Sequence, residues 1–116
     1  RSITENQKAV KLGEALDLLG PNRMVVVVNL YGTFARVDAD NAAIAAAVQG
    51  RDNVIVADWY STAKANPAAL QADRKHPSLR GSHLYAQTVQ AAFAELAQRR
   101  TGQPVTGLET HPLPAR

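Results

Sequence analysis

Two apolar patterns alternate along this chain, one with helical spacing and one continuous. Ala9, Leu12, Leu16 and Leu19 recur at offsets of three and four behind Thr4-Glu5-Asn6-Gln7, a capping-box sequence that predicts a first helix, with Ser2 leading into it. Gly20-Pro21 ends it. Met24 to Leu30 is then a valine-rich apolar run interrupted only by Asn29, the pattern of a strand buried on both faces of a parallel sheet. It opens into Tyr31-Gly32-Thr33-Phe34.

The same alternation repeats downstream. Asp40 is placed to cap a second helix through Gln49, with Ile44, Ala47 and Val48 on its core face, alanines for close packing on a sheet, and Gly50 as the stop. Asn53 to Trp59 reads as a second buried strand whose last residues, Asp58 and Trp59, reach the same edge as the end of the first; Trp59 is expected in the core or a cleft wall. Ser61 to Lys64 predicts a helical turn, and Asn66-Pro67 the start of a short helix through about Ala72. Ser78 as cap and Gly81 open the last helix, in which Leu84, Tyr85, Val89, Ala92, Phe93 and Leu96 form an apolar stripe toward the sheet, closed by Thr101-Gly102. Residues 103–116, with three prolines and one glycine, predict an exposed extension strapped across the surface.

Helices alternating with β-branched runs specify an α/β domain with a parallel sheet and helices on its faces. Two strands make a poor sheet, however. A parallel pair buried on both faces leaves two open apolar edges, so the domain is expected to be incomplete in this chain, either a fragment or part of an intertwined assembly.

Composition narrows the possible functions. The 116 residues, 46% hydrophobic and 20% charged, suit one small domain. The longest apolar run, Met24 to Val28, is far shorter than the roughly 20 residues of a membrane span, and no leader-like segment is seen, so the chain as given is expected to be soluble. Lack of cysteine removes disulfides, thiol catalysis and thiolate metal sites without fixing a compartment. The net charge of +3 is scattered and does not interleave with aromatics, so no nucleic-acid partner is expected.

Candidate chemistry lies in Asp73-Arg74-Lys75-His76-Pro77, just before the last helix. A carboxylate accepting from His Nδ1–H fixes the ring tautomer and stabilises the imidazolium, leaving Nε2 to take a proton from a nucleophile. Pro77 keeps His76 out of helical conformation, which places it on a loop. The same spacing also serves as a plain helix cap with a surface histidine. Asn29, Tyr31, Gly32 and Thr33, at the C-terminal end of the first strand, are positioned either to line a ligand site or simply to connect strand to helix. A metal set of Asp73, His76 and His83 lacks a recognised ligand spacing, and neither metal nor cofactor is expected.

Four segments together resemble the C-terminal half of an SGNH (GDSL-like) hydrolase domain, in the version fused to bacterial acyltransferase-3 membrane proteins. They are Leu18-Leu19-Gly20-Pro21-Asn22-Arg23, the strand Met24 to Asn29, the strand Val54 to Tyr60, and Asp73-x-x-His76-Pro77-x-x-x-Gly81. The resemblance implies a three-layer, flavodoxin-like parallel-sheet fold, with residues 1–101 as the C-terminal portion of the domain and 102–116 as an extended tail. It assigns Asp73 to orientation and His76 to general base and acid of a Ser-His-Asp triad. The family's Gly-x-Asn-Asp block falls on Gly32-Thr33-Phe34-Ala35, so Gly32 fits the oxyanion region, Asn29 lies near it, and Phe34 stands where the oxyanion Asn is usual.

The nucleophile block Gly-Asp-Ser is absent, and neither Ser2, Ser61, Ser78 nor Ser82 sits on a nucleophile-exposing turn. The resemblance therefore implies a serine-type O-acyltransferase or esterase, inactive as this chain alone. Its partners would be an acyl donor, acetyl above all, an envelope glycan or glycolipid acceptor, and the N-terminal portion of the same domain. The full-length protein would be membrane-linked, on the extracytoplasmic side of a bacterial membrane. The alternative expectation is a non-catalytic glycan-binding or interaction module on a decayed hydrolase scaffold.

Overall fold

The β-branched runs form strands and the periodic segments form helices, in the order α1 (Glu5–Leu19), β1 (Val25–Val28), α2 (Val37–Val48), β2 (Val54–Ala57), α3 (Trp59–Lys64), one 3-10 turn (Pro67–Ala69) and α4 (Leu79–Thr101). This computed structural model describes residues 5–108 and 110–116. Ser2 and Thr4, and with Thr4 the expected capping box, lie outside the described residues. None of the helices among the described residues is long and apolar enough to cross a membrane.

β1 and β2 pair in parallel, with Val25 opposite Val54 and Val28 opposite Ala57. Amide N–H groups of Val25 and Asn29 donate to the carbonyls of Asn53 and Ala57, so the odd-numbered residues of β1 turn their backbone polar groups toward β2. Those of Val26 and Val28 consequently face the other way, onto an edge that no described strand pairs. Burial departs from expectation: β2 is largely buried, but all four residues of β1 are only half-buried. β2 is equally an edge strand, and is buried because α2 and α4 both pack on it, whereas β1 is packed chiefly by α4. The described chain is accordingly a slab, 44 × 40 × 18 Å, with a radius of gyration of 15.4 Å against about 13 Å for a compact domain of this length.

α4 covers the sheet face that carries Val26, Val28, Ile55 and Ala57, contributing Val89, Ala92 and the fully buried Leu96. Only part of the expected stripe turns inward, because α4 overhangs the narrow sheet. Tyr85 and Phe93 are exposed and line an apolar groove with Met24, Val105 and Leu108. A second cluster, Trp59, Ala63, Ala69 and Leu84, sits beyond the C-terminal ends of the strands, with Leu113 of the tail against it. Trp59 is thus a core residue, as expected, and meets the Tyr85 ring edge-on at 5.1 Å.

Several boundaries differ from the sequence reading, each for a local reason. α2 begins at Val37, behind Arg36 in a left-handed conformation, and Asp40 is not its cap. Asp40 instead lies in the first turn, where the helix dipole favours a carboxylate, and pairs with Lys8 of α1 at 2.5 Å. α2 packs on both α1 and β2 through its small buried alanines, Ala43 and Ala47. β2 stops at Ala57 because Asp58 leaves the ladder to cap α3, its side chain accepting from Ser61 N–H. The helix expected over 66–72 is a single 3-10 turn, since the backbone after Ala69 turns extended at Leu70 and pairs with Pro77. Ser78 does cap α4, accepting from Gly81 N–H at 3.0 Å. The tail returns to that helix start, where Arg80 donates from its amide to the Arg116 carbonyl and from its guanidinium to the Pro114 carbonyl.

Gly81 allows the closest approach in the fold. A Cβ there would lie 1.8 Å from the Ala69 carbonyl oxygen, so only glycine lets α4 and the 3-10 turn touch. Gly81→Ala is expected to destabilise the chain by about 1–3 kcal/mol or more through overpacking. Urea unfolding checks this, and an unchanged midpoint would mean that the two elements separate at no cost.

Candidate functional site

The site is a short two-armed loop. Leu70 and Pro77 form an antiparallel bridge, Gln71 N–H donates to the His76 carbonyl at 2.8 Å, and Arg74 N–H closes a turn onto the Gln71 carbonyl at 2.9 Å. Arg74 takes φ 59°, unusual for a residue with a side chain. Pro77 ends the returning arm, so His76 stands on the loop rather than within α4, as its sequence position requires.

Asp73 organises this loop from inside. One carboxylate oxygen accepts from the amides of Lys75 at 2.9 Å and His76 at 3.1 Å, and the other contacts His76 Nδ1 at 2.5 Å. The His76 side-chain hydrogen bond first, then those two amides, lower the Asp73 carboxyl from its ordinary 3.8 to about 2. At neutral pH the carboxylate is therefore ionised and has no proton to give. Nδ1 must be the donor, so the neutral imidazole carries its proton there and Nε2 presents a lone pair. No described residue pairs with Nε2, and the side chain is 68% exposed. A plain helix cap would not need this arrangement, and the cap of α4 is in any case Ser78.

The connection after β1 holds the loop in place. Thr33 donates from its amide to the Arg74 carbonyl at 2.9 Å and from its hydroxyl to the Asp73 carbonyl at 3.1 Å. Gly32 makes this approach possible. Its φ is 134°, and a Cβ on it would lie 2.6 Å from the Arg74 carbonyl oxygen and 3.3 Å from Lys75 Cα. Gly32 thus lies against the backbone of Arg74 and Lys75, the two residues between Asp73 and His76. Phe34 flanks the same loop, with Lys75 Nζ 5.7 Å from its ring centre.

Asn29 is placed otherwise. Its carboxamide oxygen accepts from Tyr60 N–H at 2.7 Å and its amide donates to Asp58 at 2.9 Å, so it brackets the ends of the two strands and lines neither cavity at this edge. That bond is the largest cause holding the Asp58 carboxyl below its ordinary value, followed by the Ser61 hydroxyl. Each serine among the described residues also has structural partners: Ser61 donates to Asp58, Ser78 to the Ala68 carbonyl and Ser82 to the Ser78 carbonyl. None of the three is joined to His76. Among the described residues no three histidine or acidic side chains converge as a metal set, and His83 stands apart from the pair.

Two cavities flank Gly32. The larger, about 710 Å³, lies between the β1–α2 connection and the segment from α3 to Arg74, and Tyr31, Lys64 and Arg74 are among its walls. The smaller is walled by Phe34, Arg36, Asp38 and Tyr60. Tyr31 and Tyr60 meet edge-on at 5.1 Å near both. The sequence reading placed Tyr31 and Thr33 here but not Lys64 or the Arg74 turn, whose signal, a basic residue inside Asp-x-x-His, looks like ordinary surface charge.

Replacing Gly32 by alanine is expected to break the two Thr33 bonds, raising the exchange rate of its amide by about tenfold or more, the loss of one ordinary hydrogen bond. Amide exchange by NMR reads this directly, and unaltered protection would detach the loop's position from Gly32. The Asp73 carboxyl supplies a pH test. A carboxyl held below its unfolded value contributes stability that is fully present above pH 3.8 and is lost as pH falls toward about 2. Carboxyl NMR titration should place the Asp73 midpoint near 2, rising toward 3.8 in His76→Ala. A midpoint of 3.8 in the unsubstituted chain would show that the pair is not formed in solution. In comparisons with known proteins nothing matches this chain, neither a family model, nor a curated protein, nor a solved structure.

Proposed function

We propose that this chain is the C-terminal part of a serine-type O-acyltransferase or esterase domain of the SGNH kind, acting on acyl esters. The observation that carries the reading is the exposed pair in which ionised Asp73 receives His76 Nδ1–H and leaves Nε2 open. His76 accepts the proton of a serine hydroxyl as that oxygen attacks the acyl carbonyl, and the imidazolium, held by Asp73, returns the proton to the leaving alkoxide. In the second half an acceptor hydroxyl, or water, is deprotonated by His76, attacks the acyl-enzyme and frees the serine. The Gly32 amide, which has no intramolecular partner among the described residues, is the candidate donor to the oxyanion. By resemblance the transferred group is acetyl and the acceptor an envelope glycan or glycolipid, on the extracytoplasmic side of a bacterial membrane.

The nucleophile belongs to polypeptide outside this chain. The unpaired edge of β1, half-buried along its length and overhung by Tyr85, Val89 and Phe93 of α4, supports this, because it fits a further parallel strand. A completed sheet would also bring that strand's C-terminal end to the edge that holds His76.

Co-expression of this chain with the polypeptide that precedes it in its gene is expected to give hydrolysis of 4-nitrophenyl acetate and covalent labelling by a fluorophosphonate. His76→Ala should lower kcat/KM by about three orders of magnitude or more. Unchanged turnover in that variant would remove the proposal. The engagement of Ser61, Ser78 and Ser82 in structural bonds favours a second reading, a glycan-binding module without catalysis. Glycan binding with no turnover in the completed domain would select it.

A further inference from the structure

The larger cavity beside Gly32 has a charge pattern that the acyl-transfer chemistry does not use. Lys64 and Arg74 stand on its wall, and no carboxylate lines it. Neither cation is paired with a carboxylate among the described residues. Lys64 lies over the Tyr60 ring at 5.6 Å. Asp73 is next to Arg74 in sequence, but its carboxylate is committed to Lys75 and His76 and does not line the cavity. Both cations project from fixed backbone: Lys64 ends α3, and Arg74 is bonded at its amide to Gln71 and at its carbonyl to Thr33.

The rest of the wall is amphipathic. Tyr31, Pro67 and Leu70 offer apolar and aromatic surface, and Thr33 and Gln71 offer hydrogen-bonding groups, a combination suited to a pyranose ring with its apolar faces and hydroxyl rim. The volume, about 710 Å³, is that of a small-ligand cleft. A neutral sugar would leave both cations without a counter-charge. An ionised substituent would receive charge-assisted hydrogen bonds from them, bidentate where Arg74 is concerned.

We propose that this cavity is a subsite for an anionic sugar residue, whose carboxylate or phosphate is held by Lys64 and Arg74. The inference rests on the reading of a glycan acceptor and narrows it to an acidic glycan; it places the charged sugar next to the loop that carries His76.

The test is an NMR titration of the isotopically labelled chain with methyl glucuronide, glucose 6-phosphate and methyl glucoside. Both anionic sugars are expected to shift the signals of Tyr31, Lys64 and Arg74 and to bind at least roughly tenfold tighter than the neutral one, the size of one charge-assisted hydrogen bond. Preference between the two anions identifies carboxylate or phosphate as the group recognised. Affinity should fall with added salt, since both cations are exposed. The double variant K64Q/R74Q, its fold checked by unchanged amide signals away from the cavity, should reduce the anionic sugars to the affinity of the neutral one, and His76→Ala should leave binding unchanged. Equal affinity for charged and neutral sugars, anion binding that survives K64Q/R74Q or disappears in His76→Ala, or no shifts at the cavity would each overturn the proposal. Because these readouts are of binding, anion recognition without turnover in the completed domain would sink the catalytic reading alone.

Discussion

Everything at the functional edge depends on the parallel pairing of two four-residue strands. The register of Val25–Val28 on Val54–Ala57 brings the chain out of both strands at one level, and Asn29 ties the exits together through Asp58 and the Tyr60 amide. From that level the β1–α2 connection reaches one way and α3 the other. Gly32 and Thr33 can then meet the Arg74 turn across the gap, although 40 residues separate Thr33 from Asp73 in the chain. The Asp73-His76 pair is local, three residues apart, but its position in space is set by this long-range contact.

The same short sheet accounts for what is open in the molecule. A parallel strand is ordinarily covered on both faces and both edges, and β1 is composed for that environment, four consecutive valines. Among the described residues it has one neighbour, its outward amides and carbonyls have no backbone partner, and α4 extends past it with Tyr85 and Phe93 exposed. Sequence and burial disagree at this one edge and agree across most of the remaining core.

Much of this was legible in the residues. The α-β-α-β-α order, the cap at Ser78, the loop position of His76 and its bond to Asp73 all follow from local rules: β-branched runs, a hydroxyl before a helix, a proline after the histidine. What was not legible depends on contacts between distant segments. Asp58 was read as the end of a strand because nothing in its neighbours shows that Asn29 and Ser61 will engage it as a cap. Asn29 was read as lining a site because the bracket to Tyr60 is invisible in sequence, and the long last stripe could not show that Tyr85 and Phe93 would overhang the sheet. The basic wall formed by Lys64 and Arg74 escaped for the same reason, since ten residues and a turn separate them.

The account stands on the chemical state of one ring. An ionised Asp73 bonded to Nδ1 leaves neutral His76 as the Nδ1–H tautomer, with Nε2 free to accept a proton, and this can be read in the chain without any substrate. Two-dimensional ¹⁵N NMR of the ring nitrogens of the neutral imidazole is the direct measurement. The expected spectrum shows a protonated Nδ1 and an unprotonated Nε2. A ring protonated at Nε2, or averaging between tautomers as free imidazole does, would contradict the account and leave Asp73 as no more than the anchor of a surface turn.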